Sequence, residues 1–534
     1  MKKRNIGFRA AAAALAAVLL FAGCSAKSGG TSSSSSAASQ PSSAAAKSNT
    51  YTYGIAGDPG NAVNVISTND RYGLTEIKLL YSPLYMYNVN KVVYFLAESM
   101  TPSSDGLTYT AKLRHDVKWS DGQPLTADDV VFTYQRMEED SAAGWAYSQL
   151  VYNNKAVKVE KADDYTVKFT FPEKNADALE LLGDIFIMPK HVYQNEKSIE
   201  NSPKNAAPVG TGPYKLVEYK AGQYVKFTAN EDYFLGAPKI GNVVFRIISD
   251  YDTKLLALQK GEINSCEVQP QDVSKFKGNA NLGIYPYSEG RIGYLAFNLK
   301  SKTVQNPDFR KAVLYALNRQ QLLTASFYST DFAVPAYTFL PTESPYYTTA
   351  GVQKYDTDTG KAKQLLSQAG VSRPSLKLAY ANGSVAYQLQ AAVIQQELGA
   401  IGVNVTLEGL DDSAMSDQLE KHTGNFDLYL DGYIMGIDPS TFSSLFTTGS
   451  SSNYPGLADS TVDSLFSQGV NELDVSKRRA IYAKLQARLQ DDAVFYPIIE
   501  NKRVLAIDSD IGGIQDASLV PVYHFEDLSK LFFK

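Results

Sequence analysis

Residues Leu107-Thr-Tyr-Thr-Ala-Lys-Leu-Arg114 alternate apolar and polar side chains, and so do Tyr165-Thr-Val-Lys-Phe-Thr-Phe171. A period of two predicts strands that bury one face. Between them Asp128-Asp129 precedes Val131, Phe132 and Tyr134, the pattern of a helix with acidic residues at its positive end. Ala162-Asp163-Asp164 predicts a hairpin turn, so the first half reads as strand-rich and α+β in character. The second half changes period. Leu376 to Tyr380 predicts a strand, Gln388 to Leu398 a helix stopped by Gly399, and Val403-Asn-Val-Thr-Leu407 a strand, together a βαβ unit with a parallel sheet. Ala362, Leu365, Leu366 and Ala369 form one helical stripe ending at Gly370, and Ile481, Leu485 and Leu489 another after an N-cap at Asp474. No internal repeat of fixed period interrupts this order.

The chain's start follows a different rule. Lys2, Lys3, Arg4 and Arg9 precede an apolar run from Ala10 to Ala22, the layout of a secretory signal. The run is shorter than the roughly 20 residues of a comfortable membrane span. It ends at Phe21-Ala22-Gly23-Cys24, which resembles a bacterial lipobox with Phe21 where Leu is usual, so residues 1–23 are expected to be removed and Cys24 lipidated. Residues 24–50 are almost wholly Ser, Ala, Gly and Thr, with nothing to bury, and predict a flexible tether.

Composition narrows the function classes. About 480 residues remain after the tether, enough for two or three domains. The formal net charge is −5 and falls to about −9 once the four positive charges of the signal are removed, which argues against nucleic acid. With Cys24 assigned to the anchor, only Cys266 is left, so neither a disulfide framework nor a thiolate metal cluster is expected; Cys266 reads as a buried, inert thiol. The 35 Tyr and 24 Phe suit recognition of ligands that are part apolar and part polar.

Enzyme chemistry finds no footing. There is no Gly-x-Ser-x-Gly elbow, His-Glu-x-x-His helix or Gly-Lys-Ser/Thr phosphate loop. Gly210-Thr211-Gly212 is followed by Pro213 and reads as a rigid turn. Asp356-Thr-Asp358-Thr-Gly360 opens like a calcium loop, but Gly360 stands where a third acid belongs and Ser367 where the bidentate Glu belongs, so a helix N-cap is expected. His115, His191, His422 and His524 are scattered and read as solvated side chains; Glu138, Glu139 and Asp140 read as a solvated helix end. No cofactor and no metal site is expected.

Several segments together resemble solute-binding protein family 5, the peptide-, dipeptide- and nickel-binding lipoproteins of ABC importers. They are Gly106 to Arg114 continued by Trp119-Ser-Asp-Gly-Gln-Pro-Leu-Thr-Ala-Asp-Asp-Val-Val-Phe132, then Pro208-Val-Gly-Thr-Gly-Pro-Tyr214 with Asn230 to Pro238. Tyr294-Leu-Ala-Phe-Asn-Leu299, Pro307 to Arg319, Ala362 to Gly370, Asp438-Pro439 and Val462-Asp463 follow in the family's order. The resemblance implies an α/β, type II periplasmic-binding-protein fold: two lobes with a hinge and an extra domain inserted in the first lobe. The expected boundaries are lobe I at 51–83, 185–295 and 496–534, the inserted domain at 84–184, and lobe II at 296–495. It implies an extracytoplasmic binder, not an enzyme, monomeric and held to the cell membrane by its lipid alone. Its partners are a peptide or other small solute and the ABC permease and ATPase subunits. A nickel chelate or saccharide as solute, or a peptide-sensing or chaperone role, are the alternatives.

In peptide binders of this family a strand of lobe II lines the cleft and an acidic residue pairs with the ligand's ammonium. Phe426 to Pro439 corresponds to that stretch: Tyr433 is expected as a cleft wall, and Gly432 and Ile434 as backbone donors and acceptors. The usual acid falls at Met435 or Gly436, so Asp431 or Asp438 is expected in its place. Gly57 and Asp58 at the end of the first strand, and Arg291 and Tyr294 near the crossing between lobes, complete the candidate ligand-binding set; Arg291 would meet a ligand carboxylate or form an interlobe salt bridge.

Overall fold

A computed structural model of the protein describes residues 49–534, apart from 61–62, 69, 89–90, 140–146, 148–149, 153–154, 372–373 and 435. The signal, residues 24–48 of the tether with Cys24, Asp140 and Met435 lie outside the described residues; Thr50, expected as the tether's last residue, is instead the first of strand Thr50–Ile55. Residues 49–534 form one compact unit.

An eleven-stranded sheet runs through this unit, and two long strands carry it from one half to the other. Strand Leu282–Phe297 pairs antiparallel with strand Phe495–Asp508 along its length. In the first half-sheet, strands Tyr214–Lys220, Tyr224–Ala229, Asn242–Ile247, Thr50–Ile55 and Ser265–Val268 follow one another onto the outer end of Phe495–Asp508. In the second half-sheet, Leu428–Ile434 pairs with residues 291–297, then come Ser375–Ala381 and Asn404–Leu410. The shared strands break register where the halves meet. From Ser288 to Ile292 one strand advances four residues while its partner moves from Lys502 to Glu500. Gly290 takes a positive φ of 67° in this bulge, a conformation that favours glycine. A two-strand crossing with a bulge at its centre is a natural hinge.

The βαβ unit read from the second half is present: parallel strands Ser375–Ala381 and Asn404–Leu410 flank helix Val385–Ala400. Gly399 does not stop that helix. The chain runs on to Ala400, and Gly402, at φ 87°, makes the left-handed turn into the strand. Asp358 caps helix Thr359–Gln368 by accepting the Lys361 N–H at 2.8 Å, and Asp474 caps helix Val475–Asp491 through the Lys477 N–H at 2.9 Å.

The alternating segments of the first half form a separate four-stranded antiparallel sheet: Ala97–Pro102, Thr108–Leu113, Thr166–Thr170 and Lys158–Asp163, covered by helix Ala127–Glu139. Its buried Tyr109, Tyr134, Val167 and Phe169 share one apolar cluster with Tyr51 and Tyr53 of the large sheet. A bridge between Pro83 and Phe186 closes the segment at its base.

Three readings need correction. Gly210 and Gly212 are not tight-turn residues. A Cβ would lie 1.8 Å from the Leu80 carbonyl oxygen at Gly210 and 2.3 Å from that of Leu79 at Gly212, so both glycines let two backbones touch. His524 is buried instead of solvated, stacked on Tyr53 with ring centroids 4.6 Å apart, and burial pushes its pKa down to about 4. Glu138 is half-buried rather than solvated, and burial, with Glu139 beside it, raises its pKa to about 8. Cys266 is fully buried, and desolvation raises its thiol to about 12, the inert state expected.

Candidate functional site

The parallel strands Ser375–Ala381 and Asn404–Leu410 end together, and a helix starts after each, capped by Ser384 and by Asp411. Ligands of open α/β sheets settle at such carboxyl ends. A cavity of about 480 Å³ lies there, reaching from helix residues Tyr387 and Met415 across Asp431 to the hinge residues Glu289, Arg291 and Asn501.

Charges reach the cavity from the hinge strands and Leu428–Ile434, and from Asp412 and Glu420 at the two ends of helix Asp412–Glu420. The guanidinium of Arg291 lies across Gly432, where a Cβ would come within 2.7 Å of Nε, and its Nη2 donates to the Tyr387 hydroxyl at 2.9 Å. Glycine is required at 432 for this close approach, not for backbone conformation. Asp431 accepts the Gly432 N–H at 2.7 Å on one oxygen and the Tyr294 O–H at 3.2 Å on the other. Burial raises its pKa, opposed by those hydrogen bonds and by Arg291. Glu289 faces the same cavity and accepts from Arg503 Nε at 2.9 Å.

The backbone beside Asp431 is half-paired. Strand Leu428–Ile434 meets residues 291–297 along its whole length on one side, but on the other it pairs with Ser375–Ala381 only at Leu428 and Tyr429. From Leu430 to Ile434 that second edge has no strand partner among the described residues.

Of the sequence candidates, Arg291 and Asp431 line this cavity; Gly432 lies under the Arg291 guanidinium, and Tyr294 reaches Asp431 from the buried cluster it shares with Tyr433. Ile434 stands opposite Arg291 in the strand register. Tyr433 is buried behind the strand, where its hydroxyl donates to the Phe339 carbonyl at 2.7 Å and its ring stacks over Phe495. Gly57 and Asp58 lie away from the cavity lining. Asp58 accepts the Tyr219 O–H at 3.0 Å and the Gly222 N–H at 2.7 Å, and a Cβ at Gly57 would touch the Tyr72 ring at 2.9 Å. Asp438 caps the short helix Pro439–Phe442 and pairs with Arg478 at 2.7 Å. Arg291 donates to Tyr387 and lies in the field of Asp431 and Glu289.

Sequence reading missed Glu289, Tyr387 and Asn501, and missed a second site altogether. Around a cavity of about 320 Å³, Asp177 and Glu180 from the inserted segment meet Asp438 and Arg478. One signal was present. Arg478 occupies the buried stripe of its helix, in line with Tyr482, Leu485 and Leu489, where an arginine has no reason to sit without a partner.

The chain belongs to the bacterial extracellular solute-binding proteins, family 5, whose Middle region matches residues 91–454. Its fold is the type II periplasmic-binding-protein fold, two lobes joined by a hinge with an extra domain in the first. CtaP, an ABC transporter substrate-binding protein of Listeria monocytogenes, is 38% identical, with a TM-score of 0.88 over 91% of this chain and 99% of that one. A putative peptide binding protein, AppA from Clostridium difficile, is 35% identical, with a TM-score of 0.86 over 91% of this chain and 100% of that one. The oligopeptide-binding protein AppA of Bacillus subtilis is 28% identical over 501 residues, 89% of this chain and 90% of its own length. Among the described residues no helix is long and apolar enough to cross a membrane, and no group of three His, Cys, Asp or Glu side chains could hold a metal ion.

Proposed function

We propose that the protein captures peptides between its lobes and delivers them to the permease and ATPase subunits of an ABC importer, as a monomer tethered through a lipid on Cys24. The observation that carries the peptide reading is the unpaired edge from Leu430 to Ile434 beside the cavity. An extended peptide adds to such an edge by backbone hydrogen bonds, which are blind to side-chain identity. Asp431 is the carboxylate for the peptide's ammonium, replacing the acid that Met435 and Gly436 do not supply, and Arg291 balances its charge. Residues 84–184 serve as the inserted domain, closing over the cleft from lobe I. Two relatives, one named as a putative peptide binding protein and one as an oligopeptide-binding protein, point the same way.

Peptide pools are expected to raise the protein's melting temperature through linkage to the native state. Asp431→Asn weakens binding of free-amine peptides by about tenfold or more and leaves N-acetylated peptides unaffected, since only the former places an ammonium against the carboxylate. A melting shift with a nickel chelate or a saccharide, and none with any peptide pool, would sink the peptide reading.

A further inference from the structure

The second cavity contains groups from both lobes. Asp177 precedes the short helix Ala178–Leu182, which Tyr85 and Tyr134 tie to the inserted segment by donating to the Leu179 and Leu182 carbonyls, each at 2.7 Å. Arg478 belongs to the second lobe, held there by Asp438 and by the Gly469 carbonyl at 2.8 Å. Between the two, Arg478 Nη2 reaches Asp177 at 2.9 Å. Glu180 takes the N–H groups of Ile437 and Asp438 at 2.9 and 3.0 Å, the Ser440 hydroxyl donates to Asp177, and the Ala176 N–H donates to the Val470 carbonyl at 2.9 Å. Gly436 makes room for this: a Cβ there would lie 1.7 Å from Glu180 Oε1. None of these residues lines the hinge-side cavity or belongs to the hinge strands.

We propose that Asp177, Glu180, Asp438 and Arg478 form a latch that holds the lobes closed, so that these residues set how long a solute is retained without touching it. Three carboxylates and one guanidinium are buried together when it shuts and are hydrated when it opens. Half of the latch is preformed, because Asp438 and Gly469 aim Arg478 before the inserted segment arrives. Closure therefore adds the Asp177 pair and the Glu180 hydrogen bonds at little ordering cost on the lobe II side.

The latch also senses protons. Burial and the neighbouring Asp438 raise Asp177 to about 7, against the pull of Arg478; burial, Asp438 and Asp177 raise Glu180 further. The other titratable groups facing them are Tyr482 and Tyr346 from lobe II and Tyr87 and Tyr109 from the inserted segment, all of whose pKa values are raised by burial, so they stay neutral. Because the closed state raises these carboxyl pKa values above their hydrated ones, closure is fully favoured at pH below the ordinary carboxylate range. That advantage is lost progressively as pH rises through about 7.

Amide hydrogen exchange on the full chain tests the latch without any solute, and so independently of the peptide reading. A latch that opens as one unit loses protection together at Ala176, Ile437 and Asp438. Asp177→Ala and Glu180→Ala, which remove the side-chain hydrogen bonds in either protonation state, are each expected to lower protection factors at all three amides by about tenfold or more, with residues 282–288 unchanged as the control for folding. In the unsubstituted protein, protection factors corrected for intrinsic exchange fall as pH rises through about 7. Loss confined to the amides that each substituted side chain itself contacts, or protection that does not vary with pH, overturns the proposal.

Discussion

Two arginines, half-buried Arg291 at the hinge and buried Arg478 on helix Val475–Asp491, both lie beside aspartates, and their surroundings differ in one respect. Arg291 lies over a glycine with its acid and phenol partners on the adjoining strand and on helix Val385–Ala400, next to about 480 Å³ of open space. Arg478 spends its donors on Asp438, Gly469, Tyr346 and Tyr482 of its own lobe and on Asp177 and Ala176 of the inserted segment. A charge whose partners are all local, with room beside it, is available to a ligand. A charge whose partners come from two bodies reports whether those bodies are together. Type of residue does not distinguish the two sites; the origin of the partners does.

Removing each charge should expose this difference. Arg478→Met leaves Asp177 and Asp438 buried without a counter-ion and is expected to destabilise the protein by about 3–5 kcal/mol in urea denaturation, the usual effect of breaking a buried pair. Arg291→Met is expected to cost less, about 1–2 kcal/mol, because Asp431 keeps the Gly432 N–H and Tyr294 O–H and faces a cavity that admits water. Equal losses would mean that the two sites are not different in kind. Gly432→Ala has the smallest effect on stability, about 1 kcal/mol from overpacking. It drives the guanidinium off the strand all the same, so titration with a free-amine peptide pool should show weakened binding while the exchange pattern at Ile437 and Asp438 stays as it was.

Much of the fold was legible because period-two and helical stripes are local signals. The strands at 108–113 and 166–170, the βαβ unit and the caps at Asp358 and Asp474 each depend on residues within a turn or two. Glycine readings were less secure. The chemistry of Gly210 and Gly212 depends on the Leu79–Leu80 backbone some 130 residues earlier, which no local pattern reports. Asp431 and Gly432 were singled out because their strand matches a family stretch, and Arg291 because it lies near the crossing between lobes. The latch could not be found that way: Asp177 and Arg478 are 301 residues apart, and the place of Arg478 in a buried stripe calls for a partner without saying which. His524 was misread for the same reason, since its burial comes from Tyr53 at the other end of the chain.

The central claim is that the hinge-side cavity holds a peptide by its amino end. Native mass spectrometry of the full chain purified from producing cells, compared with Asp431→Asn prepared alongside, tests it most directly. The account predicts adducts whose masses and fragments are those of free-amine peptides, reduced by about tenfold or more in the variant. A chelate or saccharide adduct in their place, or peptide adducts undiminished by Asp431→Asn, would contradict it.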